Sequence, residues 1–376
     1  MKVIIAPDKF KGSLTAQEAC EAIGAGLKSI LPEIETIELP MADGGDGTAA
    51  ILAAGSKGKM IFCKVHDPLF REIMSNFGIS GDGNTAFVEM AAASGIELLK
   101  KEERNCYYTS SIGTGELILG ACRENVKKII LCIGGSATND GGIGMAAALG
   151  YRFYDANNAL LKPIGSNLEF IHRIDDSELD PGISKIEVEV ACDVDNPLAG
   201  PSGAAWIYGP QKGANEGELR KLDFGLINLA KVVHAKYGIS IKDIPGAGAA
   251  GGLGAGAIIF LKAKLKSGIE IVLDYLKFEE QLKSCDLVIT GEGKLDQQSL
   301  RGKVIYGILK KTSKYKLPVI ALTGNLILTQ NEINECGLKA AHCITPPENS
   351  FEEAMANAGK NLCMAAARLA QDIQNL

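Results

Sequence analysis

At 376 residues the chain exceeds what one hydrophobic core usually fills, so two domains are expected. Hydrophobic residues at 46% and charged residues at 22% exclude general disorder, and a net charge of −6 leaves no basic footprint for nucleic acid or an anionic membrane. The ten cysteines are scattered without a CxxC pair, which excludes the common zinc and redox spacings and fits reduced, structural thiols. The chain runs directly into an apolar strand with no basic, cleavable leader. Its longest polar-free run, Gly246 to Leu261, is short and glycine-rich for a membrane span. A cytoplasmic location is expected.

In chain order, Val3-Ile4-Ile5-Ala6 reads as a buried strand, and Thr15 to Glu18 as a capping box opening a helix with Cys20, Ile23 and Leu27 on one face. Thr36–Leu39 reads as the next strand, followed by a glycine-rich loop and an alanine-rich helix from Thr48. In the middle, Ile129–Ile133 is an apolar strand. Ile186, Val188 and Val190 alternate with Glu187 and Glu189, the mark of a strand with one wet face. Towards the end, Leu287–Thr290 and Val319–Leu322 are short buried strands. Ser350 opens a helix expected to bury Met355, Ala358, Leu362, Ala366, Leu369 and Ile373. The βαβ order at both ends predicts that they form one open α/β domain, residues 1–60 with 283–376. Residues 61–282 are then a second, inserted α/β domain.

Acids and glycines fall after the strands. Asp8 follows the first, Asp43 and Asp46 the second, Asp193 and Asp195 the strand ending at Ala191, and Glu292 and Asp296 the strand ending at Thr290. Ligands of open α/β sheets bind outside the carboxyl ends of strands, so four such loops point to a shared chemistry rather than to ordinary turns. Two glycine-rich stretches, Gly134–Gly142 and Gly246–Gly256, could bring backbone N–H groups close to a phosphate, or could instead pack a helix tightly on a sheet. The second stretch leads into an apolar helix expected to start near Ala257. Residues 246–251 satisfy GxGxxG, but no clean strand precedes them and none ends in an acid some twenty residues on. An NAD site is therefore disfavoured. There is no Walker A motif: neither Gly55–Lys59 nor Arg301-Gly302-Lys303 has its spacing. Lys9, Lys11, Lys212 and Lys294 accompany the acids, and this mixture suits phosphoryl transfer, where carboxylates hold Mg²⁺ and cations neutralise the moving phosphate.

Together these motifs resemble the bacterial type I glycerate kinase family. The matching stretches are Ala6–Ser13, Ala42–Thr48, Glu89–Gly95, Thr109–Glu116, Gly134–Gly142, Cys192–Leu198, Gly209–Gly213, Gly246–Gly256 and Ile289–Asp296. Lys294 stands where arginine is as common, and Gln297 where glycine is. The resemblance implies a flavodoxin-like domain built from both chain ends with an α/β insertion. It implies transfer of the ATP γ-phosphate to D-glycerate, with the 2-hydroxyl the expected acceptor over the 3-hydroxyl. The partners are then small molecules, and the oligomeric state is open, a homo-oligomer included.

Residue chemistry, not the resemblance, assigns the roles. Catalysis goes to Asp193, Asp8 and Lys9, with Asp193 the expected general base. Substrate binding goes to Lys11, Ser13, Asp195, Asn196 and Lys212. Nucleotide binding goes to Gly248, Gly251, Gly252, Gly254, Glu292 and Lys294, and Mg²⁺ to Asp43, Asp46 and Asp296. Two other classes compete: an NAD-dependent 2-hydroxy-acid dehydrogenase, and a sugar-acid sensor without turnover.

Overall fold

The computed structural model describes residues 1–297, 299–300 and 302–374, so Arg301 lies outside the described residues. Strands are numbered along the chain: β1 (Lys2–Ile5), β2 (Glu35–Glu38), β3 (Lys59–His66), β4 (Glu72–Ile79), β5 (Thr85–Glu89), β6 (Lys128–Cys132), β7 (Arg152–Tyr154), β8 (Arg173–Asp175), β9 (Glu187–Ala191), β10 (Lys264–Lys266), β11 (Leu287–Leu295), β12 (Val319–Leu326) and β13 (Ala340–Cys343). The chain divides into two compact units, residues 1–43 with 268–376, and residues 44–267. The sequence placed the junctions later, at 60/61 and 282/283. They move because the helix Thr48–Gly55 packs Ala53 against Gly78 of β4, in the second unit. The helix Gly268–Tyr275 packs Ile269 against Gly307 in the first.

The first unit is a five-stranded, wholly parallel sheet of order β13-β12-β11-β1-β2. Read from the other edge, its strands run second, first, third, fourth, fifth, the flavodoxin-like order, with a topological switch point between β1 and β11. One face is covered by the helices Ala16–Ile30 and Ala358–Gln374, which bury Cys20, Ile23, Leu27, Leu362 and Ala366 against Val3, Ile5, Leu287 and Ile289. Thr15 and Glu18 form the expected capping box. The single helix expected after Ser350 is two, Phe351–Ala356 and Ala358–Gln374. Asn357 leaves helical geometry between them and turns its side-chain amide back to the Glu353 carbonyl.

The second unit holds a six-stranded mixed sheet of order β10-β9-β6-β5-β4-β3, in which β3, β4 and β5 are joined antiparallel and the rest parallel. Strand β9 lies between β6 and β10, and its expected wet face is wet only at Glu187, which is exposed and pairs with Lys264 at 3.3 Å. Glu189 is 5% exposed and paired with Lys128 at 2.8 Å and Lys266 at 2.5 Å. A buried carboxylate is tolerable there because two ammonium groups replace its water. The second glycine stretch also differs from expectation. Within Ala249–Phe260, Ala250, Gly251 and Gly252 are left-handed and break the helix, so regular helix runs only from Leu253, four residues before Ala257. All ten cysteines are unpaired, and no helix among the described residues is long and apolar enough to cross a membrane.

Candidate active site

In the first unit the acids gather at the switch point. Beyond β1 the backbone of Asp8 stays tied to the sheet, its N–H donating to the Gly291 carbonyl at 2.8 Å. Its carboxylate accepts the Lys9 N–H at 2.7 Å. Burial, then the neighbouring charges of Asp43 and Glu292, push the Asp8 carboxyl up to about 7, against the opposing pull of Lys9. Burial also raises Glu292, with Asp296 and Asp43 adding to it and Lys303 and a Ser299 hydrogen bond working the other way. Glu292 Oε1 is buried with no hydrogen-bond partner. Lys294 is engaged with Asp296 at 2.8 Å. The ends of β1 and β11 thus carry carboxylates that repel one another, and a proton or a cation relieves the repulsion.

In the second unit the polar groups converge on the loop after β6, residues 134–142. Asp140 is fully buried and accepts four hydrogen bonds: Ser111 N–H at 2.7 Å, Ser111 Oγ at 2.8 Å, Gly142 N–H at 3.0 Å and Gly144 N–H at 3.1 Å. One carboxylate therefore serves the first turns of two helices, Ile112–Arg123 and Ile143–Ala148. Lys212 is 4% exposed, and its ammonium donates to Ser136 Oγ at 2.6 Å and to the Thr138 carbonyl at 2.8 Å. Burial lowers its pKa to about 8, partly countered by Cys106 and Asp140.

The nucleotide-binding glycines look different in place. At Gly251, φ is +69° and a Cβ would overlap the Thr138 carbonyl; at Gly252, φ is +88° and a Cβ would lie 2.9 Å from the Gly141 Cα. A Cβ at Gly248 would overlap the Pro197 carbonyl, and one at Gly254 the Gly246 carbonyl. Protein backbone fills the space beside each, so tight packing accounts for these four positions. The GxGxxG segment follows turns and not a strand, which removes the geometry a dinucleotide would need.

The other candidates divide between the units. Asp8, Asp43, Glu292, Lys294 and Asp296 come together in the first, with Lys9 beside them. Lys11 is exposed, and Ser13 donates to the Phe10 carbonyl at 3.0 Å. In the second unit Asp46 is exposed, with Oδ1 2.9 Å from where a Gly135 Cβ would stand. Asp193 and Asp195 are exposed just past β9. Asn196 is occupied internally, donating to Ser202 O at 2.8 Å and accepting from Tyr208 Oη at 2.6 Å. Lys212 faces inward, away from solvent. Sequence reading overlooked Ser136, Asp140, Ser111 and Lys303 as individuals. The run Ser136-Ala-Thr-Asn-Asp140 straight after an apolar strand was the available signal.

Fold and strand-end chemistry together define a small-molecule kinase. The glycerate kinase family model matches residues 3–374. The chain is 45% identical to Escherichia coli K12 glycerate 2-kinase over 98% of its own length and 97% of the relative's. It is 46% identical to a Halalkalibacterium halodurans glycerate kinase over 97% and 96%. A crystal structure of a protein assigned as glycerate kinase 2 from Salmonella typhimurium LT2 superposes with a TM-score of 0.91 at 41% identity, covering 100% of this chain and 98% of that one. The chain belongs to the glycerate kinase family.

Proposed function

We propose that the protein phosphorylates D-glycerate at its 2-hydroxyl with ATP, and that Asp8 is the general base. The observation carrying this reading is the position of Asp8: anchored at the switch point, with a pKa near neutrality set by burial and by Asp43 and Glu292. A base with that pKa is ionised in much of the protein at pH 7 and still basic enough to take a proton. The hydroxyl proton passes to the Asp8 carboxylate as the oxygen attacks the γ-phosphorus, and the bond to the β-phosphate oxygen breaks to release ADP. The name of the E. coli relative supports the 2-position. Asp193 is the weaker candidate because it is exposed, whereas Asp8 is held by the sheet.

The residues fit a magnesium ion. Glu292 Oε1 lacks a partner, and Asp43 lies close enough to raise both Asp8 and Glu292. Among the described residues no three metal-ligating side chains close around one point, so the protein would give few ligands. Magnesium bound to a nucleotide commonly takes one or two carboxylates and completes its shell with phosphates and water. Asp43 and Glu292 would hold it, and it would neutralise charge on the phosphates. Lys9 and Lys303 add positive charge at the same strand ends. Phosphorus NMR of the product from D-glycerate and ATP tests the regiochemistry: a 3-phosphoglycerate signal overturns the 2-position. Loss of product in excess chelator is expected, and full activity there overturns the magnesium assignment.

A further inference from the structure

We propose that Ser136 binds an oxyanion through its hydroxyl proton, with Lys212 as the positioning residue that orients and polarises it from beneath. The inference rests on the kinase reading above. An ammonium group has only donors, so the Lys212 Nζ–H···Oγ contact of 2.6 Å occupies a lone pair of Ser136 and leaves the serine's own proton to donate. A donor whose oxygen already binds a cation gives a stronger bond to an anion. Ser136 is 8% exposed and directly follows the exposed Gly134 and Gly135, so the residue stands next to the exposed part of the loop, with the buried Lys212 ammonium on its hydroxyl oxygen.

The charge balance points the same way. No ion pair to Lys212 occurs among the described residues, and the acid acting on it, Asp140, is committed to Ser111, Gly142 and Gly144. Cys106 is the other titratable group facing it, and burial keeps that thiol protonated, its pKa pushed up to about 11. A buried cation without a counter-ion is costly, and an anion arriving at the loop offsets that cost. Asp46, beside Gly135, is exposed and screened by water, whereas the field of Lys212 is not. The same loop also holds unsatisfied polar groups. Thr138 Oγ1 and both polar atoms of the Asn139 amide, all in fully buried side chains of the same loop, have no hydrogen-bond partner. The oxyanion is either the carboxylate of the hydroxy acid or a nucleotide phosphate.

Steady-state kinetics of wild type, Ser136→Ala, Ser136→Thr and Lys212→Met, varying D-glycerate and ATP separately, test the assignment. Ser136→Ala should raise one KM by about 10-fold or more, the scale of a charge-assisted hydrogen bond. Ser136→Thr should restore most of it. A selective rise in the glycerate KM identifies the carboxylate, and one in the ATP KM the phosphate. In wild type that KM should climb as pH passes about 8, where Lys212 loses its proton, and Lys212→Met should show a raised, pH-independent value. Should Lys212→Met not fold, the serine pair decides alone. Both KM values of Ser136→Ala within twofold of wild type overturn the inference. Calorimetric titration of wild type and Ser136→Ala with D-glycerate and with inorganic phosphate separates the two readings. A wild type without kinase activity defeats the proposed function, while equal binding by both proteins defeats the oxyanion site.

Discussion

Asp8, half-buried, and Asp140, fully buried, both sit in loops that follow parallel strands, yet their surroundings are opposite. Asp140 accepts four hydrogen bonds and ties two helix starts to one loop. Asp8 accepts one backbone N–H and faces Asp43 and Glu292. Burial raises the pKa of both, but four donors meet the charged form at Asp140 and a single backbone N–H does so at Asp8. The contrast separates an acid that builds from an acid that reacts. A satisfied carboxylate has no reason to give up or accept a proton, whereas one held among like charges does.

Substitutions at the two positions should therefore separate activity from stability. The largest effect is expected for Asp8→Asn, which keeps the shape but cannot take the proton: kcat should fall by about 10²–10⁴-fold. A loss below about tenfold in a steady-state assay moves the base elsewhere. Next, Asp140→Ala strands buried N–H groups of Ser111, Gly142 and Gly144 and should destabilise the protein by about 3 kcal/mol or more, measured by urea unfolding. An effect under about 1 kcal/mol would mean that the loop relaxes to satisfy its own donors.

The pH dependence sharpens the same contrast. Between about pH 4, the usual aspartate range, and about 7, folded Asp8 holds a proton that the unfolded chain has released. The native state then binds more protons than the unfolded state, so this group's contribution to stability falls as pH rises through that window. Asp8→Asn removes the penalty. Its melting temperature relative to wild type should be higher at pH 8 than at pH 4. A pH-independent difference refutes the assigned pKa. In wild type kcat/KM should rise through about pH 7 as the base ionises. The smallest effect is expected for exposed Asp193→Asn, about fivefold or less in kcat, the scale of a solvated charge. A loss comparable to that of Asp8→Asn would restore Asp193 as the base.

The strand-end acids could be read from sequence because an aspartate just past a run such as Val3–Ala6 is placed by local order alone. The open α/β domain built from both chain ends was likewise expected from βαβ order, and its flavodoxin-like form from the family resemblance. What escaped was decided by distant segments. Whether Lys212 faces solvent or the interior depends on Ser136 and Thr138 meeting it from a different loop. Glu189 alternates as a wet residue should, yet Lys128 and Lys266, supplied by its two neighbouring strands, bury it. Gly251 and Gly252 looked like phosphate-binding glycines because a close approach of backbone is required there. The partner in that approach is Thr138–Gly141, which no local pattern reveals.

The discontinuity of the first unit bears on how the protein is made. β1 emerges from the ribosome long before β11, one of its two sheet partners, with Val3 opposite Leu287. Residues 44–267 form one uninterrupted stretch and can collapse while synthesis continues. Meanwhile β1 and the helix Ala16–Ile30 wait with Val3, Ile5, Ile23 and Leu27 uncovered, because the helix that covers them, Ala358–Gln374, is translated only after the whole second unit. Premature termination after residue 267 should thus yield a nascent chain that engages holdase chaperones through its first 43 residues.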